Sequence, residues 1–207
     1  MILTYHTGQC IRASAGDTAV VFGPVSKSSK KFKPTNFGAD VAFVSINHAD
    51  ANGSEEASRG DKNAFVISGP GEYEVKDIVA SGFATVSNYG GGERINTMYH
   101  VLFDGLHVLY AGALSSTDIP SDILEMDSPD ILIVSLGEGL LTPAEAHKLS
   151  VKLEAKVTIP LTAEGDEKML KQFLKEAGAE SAAPADKFTV KPRDVAGKSG
   201  EVVVLSA

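Results

Sequence analysis

Apolar residues in the first half of the chain come in short runs separated by turn-forming residues, a pattern typical of β-strands. The turn Gly69-Pro70-Gly71 separates two of these runs. The clearest hairpin spans 97–110, because Asp104-Gly105 divides two apolar runs and suits a two-residue turn with positive φ. The predicted strands before this hairpin lie at 2–5, 10–14, 18–22, 41–45, 64–67, 72–75 and 77–86.

The second half of the chain alternates helical and strand patterns. A short helix is predicted at about 118–126, and the fully apolar run 130–135 predicts a strand buried on both faces. Thr142-Pro143-Ala144-Glu145 indicates a capped helix start, and Asp166 caps a further helix that Gly178 ends. The order of elements predicts stacked sheets covered by helices in a single domain, residues 1–207, with late strands at 156–161, 187–191 and 201–205.

Composition is that of an ordinary globular protein. The chain has 207 residues, 43% hydrophobic and 22% charged, with a net charge of -8. This charge argues against wrapping of nucleic acid or anionic membrane, and the longest apolar runs are far too short to span a bilayer. With one cysteine, Cys10, and an N-terminus unlike a signal peptide, we expect a cytoplasmic soluble protein.

The segment 43–53 is the most informative, because an apolar strand leads into a polar turn that holds His48 and Asp50 two positions apart. With the stretches 66–75 (Val-Ile-Ser-Gly-Pro-Gly-Glu-Tyr-Glu-Val) and 109–114 (Leu-Tyr-Ala-Gly-Ala-Leu), it makes the chain resemble a small bacterial branch of the metallo-β-lactamase superfamily, whose members are zinc-dependent hydrolases. The resemblance covers nearly the whole chain. It implies an α/β (α+β) protein with a four-layer αββα sandwich of two mixed β-sheets flanked by helices.

Most metal ligands of that family are replaced in this chain. The family turn reads His-x-His-x-Asp-His, a bridging Asp follows a later Gly, and a final His follows Ile-Pro-Met. An Ile, two Ala and a Thr stand where three of these His and the bridging Asp would be, so only His48 and Asp50 remain as candidate catalytic or metal-binding residues. The other positions that the resemblance places around the cleft are Ile46, Asn47, Ala51, Gly112, Ala113 and Thr162.

Two ligands are too few to hold zinc securely. A four-ligand structural zinc is worth roughly 10–16 kcal/mol, and a half share corresponds to a dissociation constant between about 0.1 mM and 1 µM. We therefore expect no dinuclear zinc centre and no bound cofactor, with weak zinc binding at His48 and Asp50 left open. Carboxylates near the family's site could supply ligands to a hard cation, namely Glu72, Glu74, Glu138, Glu164 and Asp166.

Several candidates have a structural interpretation beside the chemical one. For His48 and Asp50 we favour a turn in which Asp50 accepts hydrogen bonds from backbone amides and His48 packs or faces solvent. Cys10 on a strand indicates a small buried side chain rather than a nucleophile. His100 and His107 are predicted about 7 Å apart, diagonally on one face of the hairpin, where packing under a helix is the default.

Lys27, Lys30, Lys31 and Lys33 form a basic run that could attract phosphate, although such a run is more often a solvated loop. Nucleic acid is not an expected partner of the whole chain.

Three functions stay open at this point. The first, which we favour, is a catalytically weak or inactive superfamily member that binds a small molecule or a protein. The second is a metal-dependent hydrolase of phosphodiesters, lactones or thioesters with a sparse or rearranged metal site. The third is an assembly role in a symmetric oligomer.

Overall fold

The computed structural model describes residues 1–162 and 166–207, and within them thirteen strands form two sheets. The strands are β1 Ile2–Thr7, β2 Cys10–Ala15, β3 Thr18–Phe22, β4 Val41–Phe43, β5 Phe65–Ile67, β6 Gly71–Val75, β7 Ile78–Ser87, β8 Arg94–Phe103, β9 Leu106–Tyr110, β10 Ile131–Leu136, β11 Val157–Thr162, β12 Phe188–Thr189 and β13 Glu201–Val202. The helices are α1 Ser121–Leu124, α2 Pro143–Lys152, α3 Glu167–Glu176 and α4 Pro192–Val195, with a 3₁₀ turn at Glu55–Ala57.

Both sheets mix parallel and antiparallel pairs. The first has the order β12-β1-β2-β3-β4-β5, and the second has the order β13-β11-β10-β9-β8-β7-β6. In the first sheet β4 and β5 run parallel to β3, whereas in the second sheet β9, β10, β11 and β13 are parallel. The predicted α+β architecture of two mixed sheets with flanking helices is confirmed.

The main core lies between the sheets and follows the two-residue period of the strands. On β4, for example, Val41 and Phe43 point into this core while Ala42 points to the opposite face. Aromatic rings join the two sheets, with ring centroids 5.1 Å apart both for Phe22 and Tyr110 and for Phe43 and Tyr99. This core fixes the ends of the strands from which the candidate site is built.

The two outer faces are covered differently. Helices α2 and α3 cover the second sheet, and Leu149 of α2 and Phe173 of α3 pack in the core between these helices and the sheet. The outer face of the first sheet is covered by the long connection between β3 and β4, whose Phe32 and Phe37 pack against Cys10 and its neighbours. The basic run of the sequence therefore forms part of an outer layer.

Local signals in the sequence set most element ends. Thr142 and Glu145 form the predicted capping box, and Asp166 caps α3. Asp104 and Gly105 both have positive φ, at 53° and 71°, as the hairpin turn required. Helix α4 and the 3₁₀ turn were missed because a single turn is too short to show a period.

Some predicted elements are longer than the observed ones. Helix α1 covers Ser121–Leu124 rather than 118–126, because Pro120 disfavours helical backbone at the residue before it and forms the N-cap of α1. The last strands are also reduced to short pairs, Phe188–Thr189 and Glu201–Val202. The helices that the structure describes are all too short or too polar to cross a lipid bilayer.

Candidate functional site

The turn that follows β4 is a tightly bonded loop. The amide of His48 donates to the carbonyl of Ile46, and the amide of Ala51 donates to the carbonyl of His48, both at 2.9 Å. The loop ends at Gly53, where a Cβ would lie only 2.3 Å from the carbonyl carbon of Val25. These contacts place residues 46, 48, 50 and 51 near the carboxyl end of β4, close to the residues that follow β9.

Three of the four replaced ligand positions meet in one small apolar cluster. Ile46, Ala51 and Ala113 are buried together, and Tyr89 and Leu140 complete the cluster. We call these five residues the closed pocket. Ala51 and Ala113 are fully buried, so they pack against neighbours and do not line an open cleft.

Asp50 lies beside the closed pocket and is only 2% exposed. The hydroxyl of Ser29 donates to Oδ1 at 2.6 Å, and the hydroxyl of Tyr89 donates to Oδ2 at 2.8 Å. The sequence predicted backbone amides as the donors to this carboxylate, whereas the structure supplies hydroxyls from two distant segments. Asp50 therefore connects the loop after β4 to the basic run and to the turn after β7.

His48 is held by the same network. Its Nδ1 accepts a hydrogen bond from the amide of Asp50 at 3.2 Å and lies 3.5 Å from Asp50 Oδ2. Its ring meets the Tyr89 ring edge-on, and a Cβ on Gly90 would lie 2.7 Å from Nε2. Because Asp50 lies between Ser29 and His48, the three residues do not form the Ser-His-Asp order needed to activate a hydroxyl.

The residues at this position do not fit a zinc centre. Zinc in proteins is held by three or four Cys, His or carboxylate ligands, and Ile46 and the two alanines offer no lone pair. Both oxygens of Asp50 already accept a hydroxyl hydrogen bond. In residues 1–162 and 166–207, no three His, Cys, Asp or Glu side chains are gathered as a metal would require.

Asn96 is a fully buried residue that orients this region and that the sequence reasoning missed. Its Nδ2 donates to the carbonyl of Ala111 at 3.0 Å, and its Oδ1 accepts from the amide of Ala113 at 2.8 Å. Between them, Gly112 has φ +63°, and a Cβ there would lie 2.5 Å from Ser45 Cβ. The only hint in the sequence was a polar residue inside an apolar strand.

The other predicted site residues lie around this core. Thr162, at the end of β11, accepts a hydrogen bond from the Tyr5 hydroxyl through its carbonyl at 3.1 Å. Glu72 accepts from the Ser81 hydroxyl at 2.7 Å, and Asp166 is occupied as the α3 cap. Glu74 and Glu138 are exposed, and Glu164 lies outside the described residues.

An uncharged cleft opens on the other side of Ile46. Its volume is about 520 Å³, and none of its lining residues within the described chain is ionisable. Val66 and Ile95 supply exposed apolar surface at this cleft, and Ile95 is 70% exposed. We call it the open cleft, and its polar side chains are Ser45, Asn47, Asn52, Ser54, Ser68 and Thr97.

Cys10 and the histidine pair lie elsewhere. Burial raises the pKa of Cys10 to about 12, and its Sγ contacts Thr35 Oγ1 at 3.6 Å, so the thiol stays protonated near neutral pH. The strand register places His100 and His107 diagonally on one face of the hairpin, as predicted, and their rings stack with His100 Nε2 3.2 Å from His107 Nδ1. Burial, followed by the charge of His107, lowers the pKa of His100.

A family model described as a beta-lactamase superfamily domain matches residues 2–162. The chain belongs to this superfamily. It is similar over its length to a proposed Zn-dependent hydrolase of the metallo-β-lactamase superfamily from Thermotoga maritima, with TM-score 0.71, 23% identity, and coverage of 99% of this chain and 97% of that one.

Two further solved structures show the same fold. A proposed metal-dependent hydrolase from Parabacteroides distasonis has TM-score 0.63, 17% identity, and coverage of 85% of this chain and 89% of that one. The isothiocyanate hydrolase from Delia radicum gut bacteria has TM-score 0.62, 11% identity, and coverage of 92% and 99%. No curated protein matches significantly. At these identities the structural likeness shows the metallo-β-lactamase-like fold alone. The activity has to be argued from the residues at the site.

Proposed function

We propose that this superfamily member is a non-hydrolytic binding protein that takes an uncharged, hydrogen-bonding small molecule in the open cleft. The observation that carries the proposal is the closed pocket, where Ile46, Ala51 and Ala113 pack together at former ligand positions. A hydrolase of this superfamily needs a metal-activated water there. The hydrogen bonds that Ser29 and Tyr89 donate to Asp50 hold three chain segments together next to the closed pocket, which is a structural role.

The chemistry of the open cleft supports a neutral ligand. Its volume of about 520 Å³ suits a small organic molecule. Hydroxyl and amide side chains can donate and accept hydrogen bonds, whereas an ionised ligand would lose water without meeting an opposite charge. The exposed side chains of Val66 and Ile95 give such a ligand an apolar surface to cover.

The competing function is hydrolysis at a sparse or rearranged metal site, which the descriptions of the structural neighbours favour. Metal analysis of protein purified without added metal, combined with assays on phosphodiester, lactone and thioester substrates, separates the two. We expect substoichiometric zinc and no turnover with Zn²⁺, Mn²⁺ or Mg²⁺ beyond that of His48→Ala. The proposal is overturned if the wild-type protein holds stoichiometric zinc and hydrolyses a substrate, and if His48→Ala loses both the zinc and the activity.

Protein-observed NMR with a library of uncharged polyols and amides, and with charged compounds of similar size for comparison, tests the binding half of the proposal. Compounds that bind should shift amide resonances of the open cleft, such as those of Asn47 and Ser68. Binding restricted to charged compounds, or shifts confined to another surface, would contradict this assignment of the cleft.

A further inference from the structure

We propose that the basic segment, residues 26–37, forms a second ligand site together with the turn between β1 and β2, and that this site binds a small phosphomonoester. The site lies in a different cavity from the open cleft. It goes beyond the proposed function, and either can fail without the other.

The basic segment is folded in place, unlike the solvated loop that such a run usually forms. Ser29 Oγ accepts hydrogen bonds from the amides of Lys31 and Phe32, at 3.2 and 3.0 Å, while its hydroxyl donates to Asp50. Further along, Thr35 Oγ1 accepts from the amide of Val25 at 2.9 Å and is buried. The backbone positions of the lysines that follow Ser29 are therefore set by the fold.

The two aromatic residues of the segment attach it to the β1–β2 hairpin. The ring of Phe32 lies against Gly8, where a Cβ would come within 3.0 Å of ring atoms. The ring of Phe37 lies tilted against the ring of His6 with centroids 4.3 Å apart, and the Arg12 guanidinium lies 5.9 Å from the Phe37 centroid. These contacts leave a cavity of about 490 Å³ between the segment and the hairpin.

The lining of this cavity combines positive charge, hydrogen-bonding groups and aromatic surface. It includes the ammonium of Lys33, the polar side chains of His6, Thr7 and Asn36, and the rings of Phe32 and Phe37, with no Asp or Glu side chain among the lining residues that the structure describes. Within residues 1–162 and 166–207, neither Lys33 nor Arg12 has an acidic partner at ion-pair distance. A positive cavity thus occurs on a chain whose net charge is -8.

A phosphomonoester matches this lining better than other anions. It carries about -1.5 to -2 charges and several strong acceptor oxygens at neutral pH, which suits the ammonium of Lys33 and the donors around it. An organic body attached to the phosphate would cover the aromatic surface of Phe32 and Phe37. The small concave volume and the overall negative charge of the chain favour a small molecule over a nucleic acid.

Titration calorimetry with phenyl phosphate tests the site in the full chain. We expect saturable binding of one molecule per chain, weakened by added salt, and no binding of phenol. Lys33→Gln should weaken binding about tenfold, as expected for loss of one charge-assisted hydrogen bond. Lys30→Gln, an exposed change in the same run outside the cavity lining, should leave the affinity unchanged.

The proposal is overturned if phenyl phosphate does not saturate wild-type protein, or if Lys30→Gln weakens binding as much as Lys33→Gln. Tighter binding of a single-stranded oligonucleotide than of phenyl phosphate would also overturn it.

Discussion

Ile46 separates two regions that differ in almost every respect. On one side lies the closed pocket, where Ile46 packs with Ala51, Tyr89, Ala113 and Leu140. On the other side lies the open cleft of about 520 Å³, which Ile46 also lines. The loop after β4 thus contributes residues both to a tightly packed apolar cluster and to a cleft that solvent can enter.

The difference supports the proposal that this chain keeps the fold of the superfamily without its metal chemistry. Metal ligands sit at the edge of the sandwich, whereas stability comes mainly from apolar burial between the sheets. Small or aliphatic residues at ligand positions need only pack well, and Asp50 keeps a role by accepting hydroxyl hydrogen bonds. The neighbouring cleft is free to keep or acquire a binding function.

The largest expected effect comes from Asp50→Ala, which removes the acceptor shared by Ser29 and Tyr89. Two hydrogen bonds to a charged group are lost, so we expect the free energy of unfolding to fall by about 4 kcal/mol. Urea denaturation followed by circular dichroism measures this change. Asp50→Asn retains one acceptor oxygen and should lose less; an unchanged urea midpoint for Asp50→Ala would show that the network does not stabilise the fold.

Ile46→His tests whether the closed pocket can be reopened for a metal. An imidazole placed among buried apolar side chains should cost about 2–3 kcal/mol of unfolding free energy. Val151→His, at a helical position that is 62% exposed, is the matched control and should change stability little. Recovery of the lost stability on addition of one equivalent of zinc would indicate that His48 and Asp50 can still join a metal site.

Tyr89→Phe isolates one hydrogen bond, because the ring is kept and only the hydroxyl that donates to Asp50 is removed. We expect a loss of about 1.5 kcal/mol in the free energy of unfolding. The double variant with Asp50→Ala should show a smaller additional loss than Tyr89→Phe shows alone, since the two side chains share the bond. Strict additivity in chemical denaturation would argue against this coupling.

The smallest stability effect is expected in the open cleft. Ile95→Asp changes an exposed side chain, so the free energy of unfolding should stay within about 0.5 kcal/mol of wild type. Binding of uncharged fragments detected by NMR should nevertheless weaken, because a carboxylate replaces apolar contact surface. Val151→Asp makes a similar change outside the cleft and should leave binding intact. An equal loss of fragment affinity in both variants would show that the fragments do not bind in the open cleft.

Much of the fold was predictable because its signals are local. The capping box at Thr142, the turn at Asp104-Gly105 and the period-two strands all depend on residues close in sequence. The resemblance also predicted that Ile46, Ala51, Ala113 and Thr162 stand at ligand positions of the family, since an aliphatic or hydroxyl residue is easily distinguished from imidazole or carboxylate.

The partners of the retained residues could not be predicted in the same way. Ser29 and Tyr89 reach Asp50 from 21 and 39 residues away, and neither has a sequence pattern that marks it as a donor. Asn96 likewise acts through a contact with the Ala113 amide, which belongs to another strand end. Such pairings depend on the packing of both sheets.

The sequence by itself determined the order of strands and helices and the identity of the side chains that replaced the metal ligands. It did so because backbone periodicity and ligand chemistry are properties of single residues and their near neighbours. Only the tertiary structure decided that Ile46, Ala51 and Ala113 pack into one apolar cluster, that an uncharged cleft lies beside it, and that the lysine run folds against the first hairpin. Those outcomes depend on contacts between distant segments, which no local pattern encodes.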